Sequence, residues 1–269
     1  MDDMRDRPAI LLTGYWPPTN GMLRRFSPSP VQNPRGWVGR DWEGRGFDVY
    51  AHFPEFPPGC GPARAREQRS RGANAHATAH APNTDPASHS KPWGVGEFEV
   101  DYRKTHADLT RLAARYDPIA IVTFSRGKPG SHWYPEPACR RWRLPGEPGP
   151  ANVGQYVSDR RSPGYPFDLP PMADPPGTVY RSTLPMAAIA AAVTRATAGR
   201  VNAFVPAMDD RFDFGGAYLS GFVGLLGTRH QHRTPRCRAA GHVHVGIDTP
   251  PPDAALATEA TVRAVLEAI

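Results

Sequence analysis

The chain has 269 residues of which 39% are hydrophobic, enough to bury a sizeable core, and we expect one elaborated domain over 1–269 rather than two small ones. Its formal charge of +6 comes from 32 Lys and Arg against 26 Asp and Glu, but the arginines are scattered, with no aromatic-interleaved platform, so a nucleic-acid partner is not expected. Three widely spaced cysteines (Cys60, Cys139, Cys237) give neither a CxxC nor a disulfide framework, no signal precedes them and no apolar run has membrane-spanning length; a reducing cytoplasm and no membrane partner are the expectation.

The run Ala9-Ile10-Leu11-Leu12-Thr13-Gly14 reads as a buried first strand, which puts Tyr15-Trp16-Pro17-Pro18-Thr19-Asn20 at its C-terminal end, where open α/β sheets bind ligands. Asn33-Pro34-Arg35-Gly36-Trp37 reads as the start of a short helix and Phe47-Asp48-Val49-Tyr50 as a second strand. The stretch 57–92 is rich in Pro, Ala, Gly, His and Arg and nearly free of large aliphatics; it cannot bury enough surface to fold alone, and a flexible insertion is expected. Its His76, His80 and His89 have no ordered Cys or carboxylate partners in sequence, so no metal is expected there.

Residues 98–116 have helical periodicity, with Tyr102, His106, Leu109, Leu112 and Ala113 on one side, and 118–124 read as a third strand ending in a polar turn at 125–130. A strand with Trp142 packed inward is expected at 140–143 and little regular structure over 145–176. Pro185 opens an Ala-rich helix that Gly199 stops, 201–205 reads as another strand, and Asp253 as the cap of a terminal helix that docks through Leu256, Val262, Val265 and Leu266.

The stretch 212–246 constrains function most. Gly215 and Gly216 precede Ala217-Tyr218-Leu219-Ser220-Gly221 and an apolar run, which sets Ser220 at or near a helix N-terminus, where unpaired backbone N–H groups can hold an oxyanion; a plain cap is the ordinary role of such a serine. Gly241-His242-Val243-His244-Val245 alternates like a half-buried strand, with both histidines on one face, so a Ser-His pair is within reach. His242 reads as a strand residue bonded to backbone, with a second polar group in the site as the alternative, Arg229-His230-Gln231-His232-Arg233 as a solvated basic loop, and Asp209, Asp210 and Asp213 as an exposed cluster that could cap the helix or orient His244. No phosphate loop or dinucleotide-binding glycine signature is present, so no cofactor is expected.

The order of these pieces resembles the pyroglutamyl-peptidase I family of cysteine peptidases. Leu12-Thr13-Gly14-Tyr15 with Pro17 resembles its TGF-x-P motif, Asn33-Pro34 with Trp37 its NP-x-W segment, and Ser182-Thr183-Leu184-Pro185 its S-x-LP helix entry. The segment 98–123 resembles the helix and strand before the family's glycine-rich loop, 215–221 its AG-x-(Y/F)-(L/V)-C-N nucleophile motif, and 241–245 its GF-I-HVP histidine motif. The resemblance implies an α/β fold with a mixed, mostly parallel sheet flanked by helices, of phosphorylase/hydrolase-like type. It implies a triad in which His244 is the histidine, Glu136 the acidic member, and Ser220 stands where the family has its cysteine.

A serine in a site built for a thiolate loses the easily ionised nucleophile, yet a neutral histidine can accept the proton as a serine attacks. The expected activity is therefore hydrolysis of an amide or lactam in a small molecule or peptide N-terminus, without metal. Its rival is a homologue that binds a ligand or protein partner without catalysis. Tyr15 and Trp16 are the expected pocket residues, with Pro18 replacing a second aromatic clamp; Arg126 stands where a glutamine-like residue is common and suits a carboxylate-bearing substrate. Cys139 and Cys237 lack the setting of a substitute nucleophile, and the sequence leaves a homo-oligomer open.

Overall fold

The structure is a computed structural model in which residues 7–14, 17–55, 96–99, 101–156, 172–207 and 216–269 are described. Its elements in chain order are β1 (Ala9–Thr13), α1 (Pro17–Leu23), β2 (Asp48–His52), α2 (Tyr102–Tyr116), β3 (Ala120–Arg126), β4 (His132–Pro135), β5 (Ala138–Arg140), β6 (Val179–Arg181), α3 (Met186–Ala196), β7 (Asn202–Ala203), α4 (Leu219–Arg233), β8 (Ala239–Val245) and α5 (Pro251–Ala268). The main sheet has the order β2-β1-β3-β8-β4-β7; β5 and β6 pair separately. β2, β1, β3 and β8 run parallel, β4 is antiparallel to β8, and β7 is parallel to β4. This is the expected α/β fold: a mixed, mostly parallel sheet with helices on both faces.

Strand alternation divides the core. Ile10, Leu12, Val122, Phe124, Val243 and Val245 face Met22 and Leu23 of α1, Ile189 and Val193 of α3, and Val262 and Val265 of α5. Leu11, Ile121 and Ala240 face Leu109 and Leu112 of α2 and Phe222, Val223 and Leu226 of α4. On the second face the strands change character toward their C-terminal ends. Ile121 is followed at the same parity by Thr123 and Ser125, and Ala240 by His242 and His244, so a polar patch is built into one end of an apolar layer.

Several local expectations are corrected. The proline-rich segment after β1 forms α1, because Pro17 and Pro18 sit in a first turn where no N–H partner is needed. The segment 33–37 is a turn, tied by the Asn33 side-chain amide donating to the carbonyls of Arg25 and Gly36. Ser125 and Arg126 belong to β3 rather than to a turn, since β8 continues alongside them in register. The strand expected at 140–143 lies at 138–140 with Trp142 buried just beyond it, and the one expected at 201–205 keeps only Asn202 and Ala203. The basic stretch 229–233 is the end of α4, with Arg229 and Arg233 both paired to buried Asp174. Asp253 is not a cap: Pro250 holds that position, and Asp253 inside the first turn pairs with Arg200 at 2.8 Å. Leu256 faces outward, 39% exposed. The insertion 57–92 lies outside the described residues.

One contact sets how α4 lies on the sheet. A Cβ at Gly224 would stand 2.7 Å from Cys139 Sγ and 2.8 Å from His242 Cβ, whereas one at Gly227 would meet nothing closer than Ile121 Cγ2 at 3.3 Å. Alanine gains about 1 kcal/mol of helix propensity at either site, while overpacking costs about 1–3 kcal/mol. In urea denaturation Gly224→Ala is therefore expected to be less stable than Gly227→Ala by about 1–3 kcal/mol; equal stabilities would mean that α4 does not close on β8 at this point.

Candidate active site

The polar patch at the C-terminal ends of β3 and β8 holds the candidate residues. His244 lies opposite Tyr134 of β4 and stacks on its ring, with centroids 5.0 Å apart and planes 25° apart. Tyr134 stacks in turn on Phe204 at 5.1 Å, so the imidazole is clamped against an aromatic pair. Just past β4, the Glu136 backbone N–H donates to the His242 carbonyl at 2.7 Å, and this bond delivers the Glu136 carboxylate to His244, with Oε1 3.0 Å from Nε2. Both side chains are mostly buried, 12% and 14% exposed, so their attraction is weakly screened.

The other ring nitrogen of His244 is also engaged. Nδ1 lies 3.1 Å from Ser125 Oγ and 3.1 Å from the Arg126 carbonyl oxygen. Ser125 Oγ is 2.7 Å from His242 Nε2, and His242 Nδ1 is 2.7 Å from Thr123 Oγ1. His242 is fully buried and bonded to two side-chain hydroxyls, which corrects the expectation of a backbone-bonded strand histidine. Burial, reinforced by the neighbouring His244, holds its pKa well below the ordinary histidine range, so it stays neutral.

Ser220 is the second residue of α4. The cap position belongs to Tyr218, and neither His244 nitrogen is bonded to the Ser220 hydroxyl. The helix register nevertheless sets its level. Gly224 abuts His242 while Gly227 abuts Ile121 and Thr123, so α4 runs antiparallel to the strands. One turn back from Gly224 is about 6 Å along the helix, and His242 to His244 is about 6.6 Å along the strand. Ser220 therefore stands on the strand-facing side of the first turn at the level of His244, and is partly exposed. Gly216, at φ +67°, takes the left-handed turn that leads into it.

The remaining candidates separate. Tyr15, Trp16, Cys60, Asp209, Asp210 and Asp213 lie outside the described residues. Arg126 enters the site through its backbone carbonyl; its side chain leaves β3 on the face opposite Ser125. Cys139 is buried under Gly224, with its thiol pushed up by burial and then by the Glu136 charge, and burial pushes Cys237 up to about 12; neither is poised to ionise. Ser125, Thr123 and Tyr134 escaped sequence reading. The signal for the first two was the polar alternation Thr123-x-Ser125, matching His242-x-His244 on the adjoining strand.

No protein-family model matches the sequence, and none of the curated proteins does. Among solved structures the chain is similar to pyrrolidone carboxyl peptidase from the hyperthermophile Pyrococcus furiosus, at 14% identity and TM-score 0.55 over 97% of this chain and 99% of that one. It is similar to the pyrrolidone carboxyl peptidase of Thermococcus litoralis at 13% identity and TM-score 0.51, over 97% and 94% of the two chains. A mutant of the Pyrococcus furiosus enzyme gives 13% identity and TM-score 0.53, over 97% and 99%. At these identities the likeness establishes the fold. Among the described residues no helix is long and apolar enough to cross a membrane.

Neutral His242 makes stability depend on acid in a defined way. Its native pKa is depressed, so below the unfolded value of about 6.5 the unfolded chain binds the extra proton and stability falls as pH falls, by at most about 1.4 kcal/mol per pH unit. Half-buried His106 and His230 are shifted down by desolvation and act in the same direction. His242→Phe is expected to flatten the fall in urea-unfolding free energy between pH 7 and pH 5 (a span of about 2 units) by about 1–2 kcal/mol; an unchanged slope would show that His242 is not held neutral by burial.

Proposed function

We propose that this protein hydrolyses an amide or lactam bond in a small molecule or at a peptide N-terminus, with Ser220 as nucleophile and His244 as its base. The observation that carries the reading is the mostly buried His244–Glu136 contact at 3.0 Å, at the strand ends. Fold similarity to pyrrolidone carboxyl peptidases supports the class of bond.

In this reading Ser220 Oγ attacks the carbonyl carbon as its proton passes to His244 Nε2. The proton arrives at the nitrogen that faces the Glu136 carboxylate, so an imidazolium–carboxylate pair forms in place, in surroundings dry enough to strengthen it. The oxyanion of the tetrahedral intermediate is met by backbone N–H groups of the first turn of α4. His244 then returns the proton to the leaving amine as the C–N bond breaks, and water, deprotonated by the same nitrogen, hydrolyses the acyl-serine. Glu136 thus serves the nitrogen that moves the proton, and Nδ1 is steadied from the other side by Ser125 and the Arg126 carbonyl. A carboxylate-bearing substrate, held by Arg126, remains part of the proposal, although the Arg126 side chain leaves β3 on the face opposite Ser125.

The second reading, a binding protein without catalysis, is favoured by one observation: both nitrogens of His244 are already bonded, neither of them to Ser220. A panel of amides and lactams, pyroglutamyl peptides included, separates the two. Turnover by the native chain that falls about a thousandfold or more in Ser220→Ala is the expected result. Turnover seen only after Ser220→Cys would contradict the hydrolase and leave the binder.

A further inference from the structure

We infer that Thr123, His242 and Ser125 form a buried, one-directional hydrogen-bond chain that keeps one proton on His244 Nδ1, so that Nε2 alone exchanges protons at the site. The inference deepens the reading above by assigning three positioning residues to the same imidazole.

The direction follows from the acceptors at the two ends. At the inner end Thr123 Oγ1 donates to the Gly241 carbonyl at 3.3 Å. The hydroxyl has one proton, so its lone pair must accept from His242 Nδ1–H at 2.7 Å. A neutral imidazole carries one proton, which leaves His242 Nε2 bare to accept from the Ser125 hydroxyl at 2.7 Å. Ser125 Oγ then has only lone pairs to offer His244 Nδ1 at 3.1 Å, and Nδ1 must donate. At the outer end the same nitrogen lies 3.1 Å from the Arg126 carbonyl, which can only accept. Two backbone carbonyls at opposite ends thus favour one polarity for the whole chain, against the pull of the Glu136 carboxylate on Nε2. The reverse polarity would set bare Nδ1 against the Arg126 carbonyl oxygen, at a cost of about 1–3 kcal/mol; the forward polarity sets bare Nε2 of a neutral ring against the Glu136 carboxylate, 3.0 Å away, and it is between these two costs that the chain decides.

The surroundings leave little freedom to rearrange. Thr123, Ser125 and His242 are essentially inaccessible, and Gly224 of α4 closes on both His242 and the buried Cys139 of β5. The ionisable groups facing the two imidazoles are Cys139, whose thiol burial keeps protonated, Tyr134, raised by desolvation, and Glu136. Glu136 touches Nε2, so left to itself it would draw the proton of a neutral His244 to that nitrogen. The buried chain acts against this: it holds the neutral ring as its Nδ1–H tautomer and leaves an Nε2 lone pair for the proton of a hydroxyl nucleophile. Such a lock matters for serine, because an alkoxide does not form beforehand as a thiolate does.

The tautomer of His244 is read directly from the ring 15N resonances above its titration, a measurement that needs no turnover. In the native chain the protonated nitrogen is expected to be Nδ1. In Ser125→Ala and in His242→Phe it is expected to move to Nε2, which donates to Glu136. Should His242→Phe fail to fold, Ser125→Ala alone tests the chain, since it deletes a single oxygen. A native ring protonated at Nε2, or an Nδ1–H that persists in the variants, would overturn the inference. An inactive amide panel with the expected tautomer would refute the hydrolase while leaving the proton chain intact.

Discussion

The close approach of α4 to β8 at Gly224 is the constraint on which the site depends. Because that residue has no side chain, the helix settles against His242 and Cys139, and this fixes how far along the strands its N-terminus reaches. Ser220 comes level with His244 in this register. Glycine at this helix position lowers helix propensity by about 1 kcal/mol, a cost borne for the register.

The sheet supplies the other half. Parallel β3 and β8 end together on one side of the molecule, and their α4-facing residues turn polar in the last two positions of that parity. Burying five polar side chains beneath a helix is costly unless each has a partner. Here Thr123, His242, Ser125, His244 and Glu136 satisfy one another and two backbone carbonyls in sequence. Antiparallel β4 adds what a purely parallel sheet would lack: Tyr134 beneath the His244 ring, and a backbone hydrogen bond from Glu136 to β8 that carries the carboxylate into place.

Much of this was legible in the sequence, and the failures have physical causes. The strands at 9–13, 48–52 and 120–124, the helix at 102–116 and the two-histidine strand were visible through periodicity, and the order of short motifs pointed to the fold. Segment ends were less legible. β3 runs on through Ser125 and Arg126 because β8 pairs with them, which no local propensity reveals, and α1 forms across a proline pair that reads as a loop breaker. At the site, Glu136 lies 3.0 Å from His244 Nε2, but the partners of the second nitrogen, Ser125 and the Arg126 carbonyl, were missed. Finding Ser125 required knowing that β3 and β8 are neighbours in register. His242 was misjudged for a related reason: a histidine in an apolar strand ordinarily finds backbone, whereas this one finds two hydroxyls on the adjacent strand.

The central claim is that the hydroxyl on the first turn of α4 is the group that reacts beside His244. It is tested most directly by treating the folded protein with a fluorophosphonate, in which an activated serine displaces fluoride, and mapping the adduct by peptide mass spectrometry. A single phosphonyl adduct on Ser220, absent in His244→Ala, is the predicted result. An unlabelled protein, or an adduct on Ser125 instead, would contradict the account.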